Sequence, residues 1–329
     1  MQLTVPIEIC IIFFQETLSK VEHLTPQAEI SKTSSGGMCL INMKKEIISP
    51  AVQNNSELKI ITHRLIVEDN RSVLPLLLHQ GEQFDVVYID PPYNGYVWRN
   101  GKMVPEIEDE IWLARFRELI DIIRSLLVDT GLLFISINDR EGAYCRVICD
   151  EVFGKQNFMA QIVRRRTKNP PCANVFSREH EYIIVFSNNS KQVHEEWNQP
   201  PISTWWDSAG TDEDAVHEVK EQLGKLKFDY PKPSTLIERC IEICQNKSAR
   251  VLDVFAGSGT TAVAVENANL KDNGRRSYTL IQRNELYQGI NIADICYKRV
   301  QRTIIGSRIA QRCIVYTRSN DGTSDLLSR

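Results

Sequence analysis

The sequence predicts an α/β fold in which a mostly parallel sheet is covered by helices on both faces. Short apolar runs recur along the chain, separated by stretches whose apolar residues have helical spacing. Two of those runs end in loops of unusual composition, Asp90-Pro91-Pro92-Tyr93 and Phe255-Ala256-Gly257-Ser258-Gly259. The 329 residues are 42% hydrophobic and 25% charged, enough apolar material for one large domain with a smaller inserted part. This composition excludes a chain disordered throughout. With 39 basic and 42 acidic residues the net charge is -3, so attraction to a polyanion must come from a local basic patch.

Residues 1–55 show weak periodicity and the polar Thr33-Ser34-Ser35-Gly36-Gly37, and read as an N-terminal extension in which Met38 and Met43 leave room for an inner start. The apolar run Ile9–Phe14 is shorter than the ~20 residues of a membrane span and lacks a basic leader, so neither anchor nor secretory signal is expected. Arg64–Val67 reads as a strand, followed by polar Glu68-Asp69-Asn70 and a helix over Ser72–Leu78. Phe84–Ile89 is a second strand, stopped where Pro91-Pro92 removes backbone donors. Trp112, Phe116, Leu119, Ile120, Ile123, Leu126 and Leu127 share a helical face, and Gly131 makes the turn into the strand Leu132–Ile137. Strand-like runs at Phe158–Val163 and Tyr182–Phe186 flank a polar stretch. The region Asn188–Leu226 carries Trp205-Trp206, ends in an acidic helical piece over Asp212–Glu221 and interrupts the alternation. The alternation resumes with a helix after Pro233, a strand Arg250–Phe255, a glycine turn and helix, a strand Tyr278–Ile281 and a helix Ile292–Ile304.

The glycine loop exposes backbone N–H groups where a helix begins, favouring an anionic or carboxylate-bearing ligand. It also satisfies a dinucleotide-type GxGxxA through Ala262, whereas the absence of a following Lys disfavours a phosphate-binding P-loop. The Asp90 loop presents a carboxylate, carbonyls without neighbouring donors and an aromatic ring. An exocyclic nucleobase amine is a poor nucleophile because its lone pair is delocalised, and two acceptors aimed at its hydrogens would localise that pair. Tyr93 would stack on a base turned out of the duplex. Alone, this loop reads better as a capped proline turn with a buried Tyr; what sets it apart is that both loops end strands of one open sheet, where ligands bind near the switch in strand order. Nine cysteines without dense spacing read as reduced thiols of a cytoplasmic protein. Cys145/Cys149 and Cys240/Cys244 lack the turns or histidines of a zinc site, so no metal is expected.

With both loops in hand, the chain resembles β-class adenine-specific DNA methyltransferases, and among them the Mod subunits of Type III restriction-modification systems. The segments that carry the resemblance run in order. They are Tyr88–Asn94, GLLFISIND (Gly131–Asp139), ICDEVFG (Ile148–Gly154), EHEYIIV (Glu179–Val185), Thr204–Asp207, FDYPKP (Phe228–Pro233), Val251–Thr261 and Asp294–Arg302, within about residues 63–305. The resemblance implies a Rossmann-like S-adenosylmethionine-dependent methyltransferase fold with circularly permuted motif order, the catalytic segment preceding the cofactor segment. It implies transfer of a methyl group from S-adenosylmethionine to adenine N6 by in-line displacement. Asp90 and the Pro91 carbonyl would accept from the amine, Pro92 would shape the loop and Tyr93 would stack on the base. Asp69, Lys232, Pro233, Asp253, Phe255, Ala256, Gly257, Ser258, Gly259, Thr260, Thr261 and Gln282 would form the cofactor side, Gln282 being preferred to Glu285 for the ribose. Residues 56–163 would be the catalytic half, 164–227 a short target-recognition region, 228–317 the cofactor half and 318–329 a tail.

Residues 155–192 hold seven basic side chains against Glu179 and Glu181, and Arg164, Arg165, Arg166 and Lys168 are the expected phosphate contacts on double-stranded DNA. A solvated basic edge strand is the plainer alternative. Trp205-Trp206 suits base stacking or packing, and His180 suits a structural role. The resemblance opens a second copy and a restriction nuclease subunit as partners. Mod subunits are longer than this chain. Cytosine-N4 methylation is the neighbouring chemistry, although that group more often resembles Ser-Pro-Pro-Tyr, and an idle DNA-recognition subunit is the non-enzymatic alternative.

Overall fold

Alternating residues of each central strand bury against helices on opposite faces, and this sorts the chain into three layers. The computed structural model describes residues 43–53, 59–99, 102–105, 107–168, 176–224, 228 and 230–317, which belong to one compact unit. The chain starts with β1 (Met43–Ile48), α1 (Pro50–Gln53), β2 (Ile61–Val67), α2 (Asn70–His79) and β3 (Phe84–Ile89). A short antiparallel pair, β4 (Tyr96–Arg99) and β5 (Lys102–Pro105), leads to α3 (Asp109–Leu126), β6 (Leu127–Ile137) and α4 (Asp139–Phe153). Then come β7 (Phe158–Arg165), β8 (His180–Ser187), α5 (Ser190–Glu196), β9 (Trp205–Trp206) and α6 (Asp212–Leu223). The last part comprises α7 (Ser234–Ile243), β10 (Arg250–Asp253), α8 (Thr260–Asp272), β11 (Ser277–Ile281), the pair β12 (Leu286–Tyr287) and β13 (Ile290–Asn291), α9 (Ile292–Gly306) and β14 (Gln311–Thr317).

Ten strands form one sheet in the order β1-β14-β2-β11-β10-β3-β6-β8-β7-β9. From β14 to β6 every neighbour is parallel, and β1 and β8 run antiparallel to the strands beside them. Val86, Tyr88, Phe134, Val251 and Leu280 pack with residues of α7, α8 and α9; Val87, Ile89, Leu133, Ile135 and Leu252 pack with residues of α2, α3 and α4. Burial on both faces is why these strands read as near-continuous apolar runs. The α/β class and the mostly parallel sheet agree with the sequence. From β10 the chain passes to β11 on one side, whereas from β3 it passes to β6 on the other. The crevice between the C-terminal tips of β10 and β3 is therefore the topological switch point.

Several boundaries move. Met43–Ile48 pairs with β14 along its whole length, so the expected extension through residue 55 gives way to sheet from residue 43, and residues 1–42 and 318–329 lie outside the described part. Gly131 lies inside β6, because α3 passes directly into that strand at Leu127. The strand expected to reach Phe255 ends at Asp253, whose carboxylate turns back to accept from the Phe255 N–H. Within the expected recognition region 164–227, β8 is a strand of the main sheet.

Candidate active site

At the switch point a cavity of about 510 Å3 opens between the two loops, lined by Asp90, Pro91, Pro92, Lys232, Asp253, the 255–258 segment, Thr260 and Gln282, with Asp69 and Arg71 at the end of β2. Its floor is built by β3 and β10, paired in register Val86↔Val251 to Tyr88↔Asp253. Residues more than 160 positions apart in sequence are thereby placed side by side.

On the β10 side the chain leaves Asp253 into a tight turn. Gly257 and Gly259 take φ values of +53° and +78°, and a Cβ at Gly259 would meet the Cys296 carbonyl and thiol at 3.3 Å, so the turn needs glycine there. The N–H groups at the start of α8 are left at the cavity edge. Gln282, at the tip of β11, accepts from the Gly257 N–H at 2.7 Å and donates to the Arg283 carbonyl. Asp253 is 3% exposed, accepts from Thr261 Oγ1 at 2.5 Å and from Phe255 N–H at 3.1 Å. Burial pushes its carboxyl up to about 7, with the Thr261 bond opposing and the nearby Asp90 charge adding.

The β3 side is held from outside. The Trp112 indole donates to the Pro92 carbonyl at 3.0 Å, and Asn94 bonds both Ile107 and Asp109, tying the loop to the start of α3. Tyr93 donates to Asp90 Oδ1 at 3.2 Å. Among the described residues no donor bonds Asp90 Oδ2 or the Pro91 carbonyl, so two neighbouring acceptors stand free in one loop. Behind them lies an ionic cluster that sequence reasoning did not find. Lys232 sits 2.7 Å from Glu181 Oε2, 3.4 Å from Asp90 Oδ1 and 3.2 Å from Tyr93 Oη. Glu181, 2% exposed, also meets Arg164 at 2.5 Å and accepts from Ser136. Burial opposes the Glu181 charge, but Lys232 and Arg164 draw its carboxyl down to about 2. Burial likewise raises Asp90, with Lys232 opposing and Glu181 adding, while the Lys232 ammonium is held well above the ordinary lysine range against burial by Asp90 and Glu181.

The structure brings Asp90, Pro91, Pro92, Lys232, Asp253, the 255–258 segment, Thr260 and Gln282 to one cleft, whereas Tyr93 and Gly259 belong to its two loops without lining it. Pro233, the N-cap residue of α7, does not line the cavity, and Thr261 acts through Asp253. Asp69 caps α2 and its carboxylate is already engaged by Arg71. Arg164 is a correction: it faces inward with no exposed side chain and bonds Glu181, Asp212 and the Gly210 carbonyl, so it cannot meet DNA phosphates. Arg166 is largely engaged by Asp212, whereas Arg165 is half-buried and Lys168 exposed, at 4.0 Å from Asp207 and 3.9 Å from Asp214 respectively. Trp206 is buried and Trp205 is 64% exposed. His180 bonds Tyr182. Cys145, Cys149 and Cys240 are buried thiols pushed up by burial, and Cys244 rises to about 11 for the same reason. Two further residues lie in segments that carry the resemblance but were given no role of their own. Phe228 lies against Gly257, and the fully buried Arg299 of α9 donates to Ser258, Thr260 and Glu218, bracing the glycine turn.

Comparison with known proteins now has a geometry to meet. The family described as DNA methylase matches residues 84–301, a span that contains both loops, and that described as Conserved hypothetical protein 95 matches residues 30–120. The Type III restriction-modification enzyme StyLTI Mod subunit of Salmonella typhimurium is 25% identical, covering 75% of this chain and 56% of its own length. The EcoP15I Mod subunit of Escherichia coli is 31% identical, covering 56% of this chain and 35% of its own length. This chain thus spans roughly half or less of these two relatives. Among solved structures, the M1.HpyAVI–SAM complex is 19% identical with a TM-score of 0.48, over 72% of this chain and 99% of that one. Both loops and the strands that carry them fall within the matched span, two thirds of the chain, and the chain belongs to the DNA methylase family.

Proposed function

We propose that the cleft is the active site of an S-adenosylmethionine-dependent DNA methyltransferase acting on the N6 amine of adenine in double-stranded DNA, within a restriction-modification system of the kind its relatives are named for. A restriction nuclease subunit is the corresponding protein partner. The observation that carries this reading is the pair of acceptors, Asp90 Oδ2 and the Pro91 carbonyl, that no donor among the described residues bonds, at the tip of β3 beside the glycine turn of β10. Acceptors so placed draw on the two N–H bonds of an exocyclic amine and leave its lone pair available on nitrogen. As the amine is methylated it turns cationic, and the partly buried Asp90 carboxylate stabilises that charge. Tyr93, half-buried and bonded to Asp90, offers a ring face to the extruded base.

The residues present fit the cofactor. The cavity has the volume of a small-molecule site, the positive φ of Gly257 and Gly259 brings backbone N–H groups to its edge, and the buried Asp253 carboxylate suits an ammonium group. S-adenosylmethionine supplies the methyl group when bound there. Gln282 and Arg299 keep the turn in shape, and Lys232 closes the cavity between the two loops. Arg165, Lys168 and Trp205 supply positive charge and one aromatic face at the β7–β9 edge for duplex contact.

The test is nucleoside mass spectrometry of unmethylated duplex DNA incubated with protein and S-adenosylmethionine, beside Asp90→Ala. N6-methyladenine that falls by about 100-fold or more in the variant is the expected result. N4-methylcytosine would overturn the assignment of the base, and absence of both product and cofactor binding would overturn the enzyme.

A further inference from the structure

Two cations, Lys232 and Arg164, are buried beside the target-amine loop, and the reading above uses neither for contact with DNA. Lys232 is the troublesome one. A lysine 3.4 Å from Oδ1 of the carboxylate that must receive the amine competes for that carboxylate's charge, and its own charge opposes the cation that forms on nitrogen. Glu181 answers both difficulties. It holds the ammonium at 2.7 Å, closer than Asp90 does, and cancels its charge. Glu181 is itself fixed by its direct cross-strand partner Arg164 and by Ser136 on β6, so it has no freedom to follow Lys232 toward Asp90. Arg164 is locked in turn by Asp212 and the Gly210 carbonyl.

We infer that Glu181 is a positioning residue: by anchoring Lys232 on its far side it keeps Asp90 available as the acceptor for the target amine. The inference rests on the proposed activity, of which it names a further part. The Asp90 carboxyl is faced by Tyr88 on its own strand, Tyr93 in its loop, Lys232 before α7, Glu181 on β8 and Asp253 on β10. Of these Glu181 raises the Asp90 titration and Lys232 lowers it. Removing the Glu181 charge therefore moves Asp90 to lower pH twice over, directly and by releasing Lys232 onto it.

The experiment is Glu181→Gln, read in two ways. The Asp90 carboxyl is titrated by carbon-13 NMR, which needs no turnover, and single-turnover methyl transfer to PCR-amplified, unmethylated plasmid DNA is measured across pH. Expected are an Asp90 titration displaced to lower pH, an acid limb of the rate displaced the same way, and a plateau rate reduced by about 10- to 100-fold, the usual loss for a residue that orients a reacting group. A residue with a merely structural role would lower the plateau and leave the limb in place. Glu181→Asp, which retains the charge one methylene further from Lys232, falls between wild type and E181Q and serves if E181Q does not fold. On a Lys232→Met background, E181Q costs much less rate than it does alone. An unmoved or raised Asp90 titration, or equal costs of E181Q with and without Lys232, overturns the inference. A wild-type protein that transfers no methyl group overturns the activity instead, with the NMR titration still deciding the role of Glu181.

Discussion

Asp253 is the residue whose protonation matters most within the physiological range. Its carboxyl titrates near 7 in the folded chain, against an ordinary value of 3.8. Between about pH 4 and pH 7 the folded state therefore holds a proton that the unfolded state has released, and stability falls as pH rises through that window. Asp253→Asn removes this part of the pH dependence, measured as the melting temperature from pH 4.5 to 8. The same titration governs the ligand. A cationic amine meets a carboxylate only after Asp253 ionises, so S-adenosylmethionine binding tightens as pH rises through 7 and releases a proton below it. Calorimetry at pH 6 in two buffers of different ionisation enthalpy reads the release directly, and equal heats in both would count against this contact. Legibility at this scale was uneven. Asp90, Tyr93, Asp253 and Gly257 stood out because their loops break the apolar pattern at strand ends. Glu181 and Arg164 were hidden in counts of exposed charge, although alternation marks them: Glu181 shares parity with Ile183 and Val185, and Arg164 with Ile162, all on the buried face.

At the scale of elements, β7 and β8 are joined by that buried pair and α6 is tied in by it. Asp212 at the start of α6 takes Arg164 and Arg166, while Glu218 one turn and a half later takes Arg299 and the Ser234 N–H. Both ends of the β7–α6 segment are thus wired to the two sides of the cleft. Arg164→Leu strands Glu181 beside Lys232 alone and should cost about 3–5 kcal/mol, measured by urea unfolding. Arg165→Ala and Lys168→Ala should leave stability near wild type and each lower the salt dependence of DNA binding by about one ion. A basic stripe in sequence thus divides into an inward bolt and an outward face: Arg165 alternates with Arg164 at the end of β7, and Lys168 lies past the strand. The acidic helix was legible as a helical piece over Asp212–Glu221, and the structure adds a capping box of Thr211 and Asp214 at its start.

For the whole molecule, β1 is the element least legible in advance. Met-Lys-Lys-Glu-Ile-Ile is half charged, as suits an edge strand, and its partner β14 is 263 or more residues away along the chain, so no local pattern announces the pairing. Cutting the chain after Ile48 should bare the β14 edge and lower the melting temperature by about 2–4 °C for each kcal/mol lost, with self-association visible by size-exclusion chromatography. An unchanged, monodisperse protein would show β1 to be dispensable. The central alternation, by contrast, was readable from β2 to α9, because strands buried on both faces need uninterrupted apolar runs.

The pairing of β3 with β10 has a temporal side. Each loop can form locally, one as a proline-ended strand and the other as a glycine turn, yet neither makes a cleft until strands from distant parts of the chain meet in register. Closing so long a loop is slow compared with making the local units on either side. During refolding, helix content and much of the sheet therefore return before any ligand can be held. Recovery of binding marks the moment at which the two halves of the sheet become one.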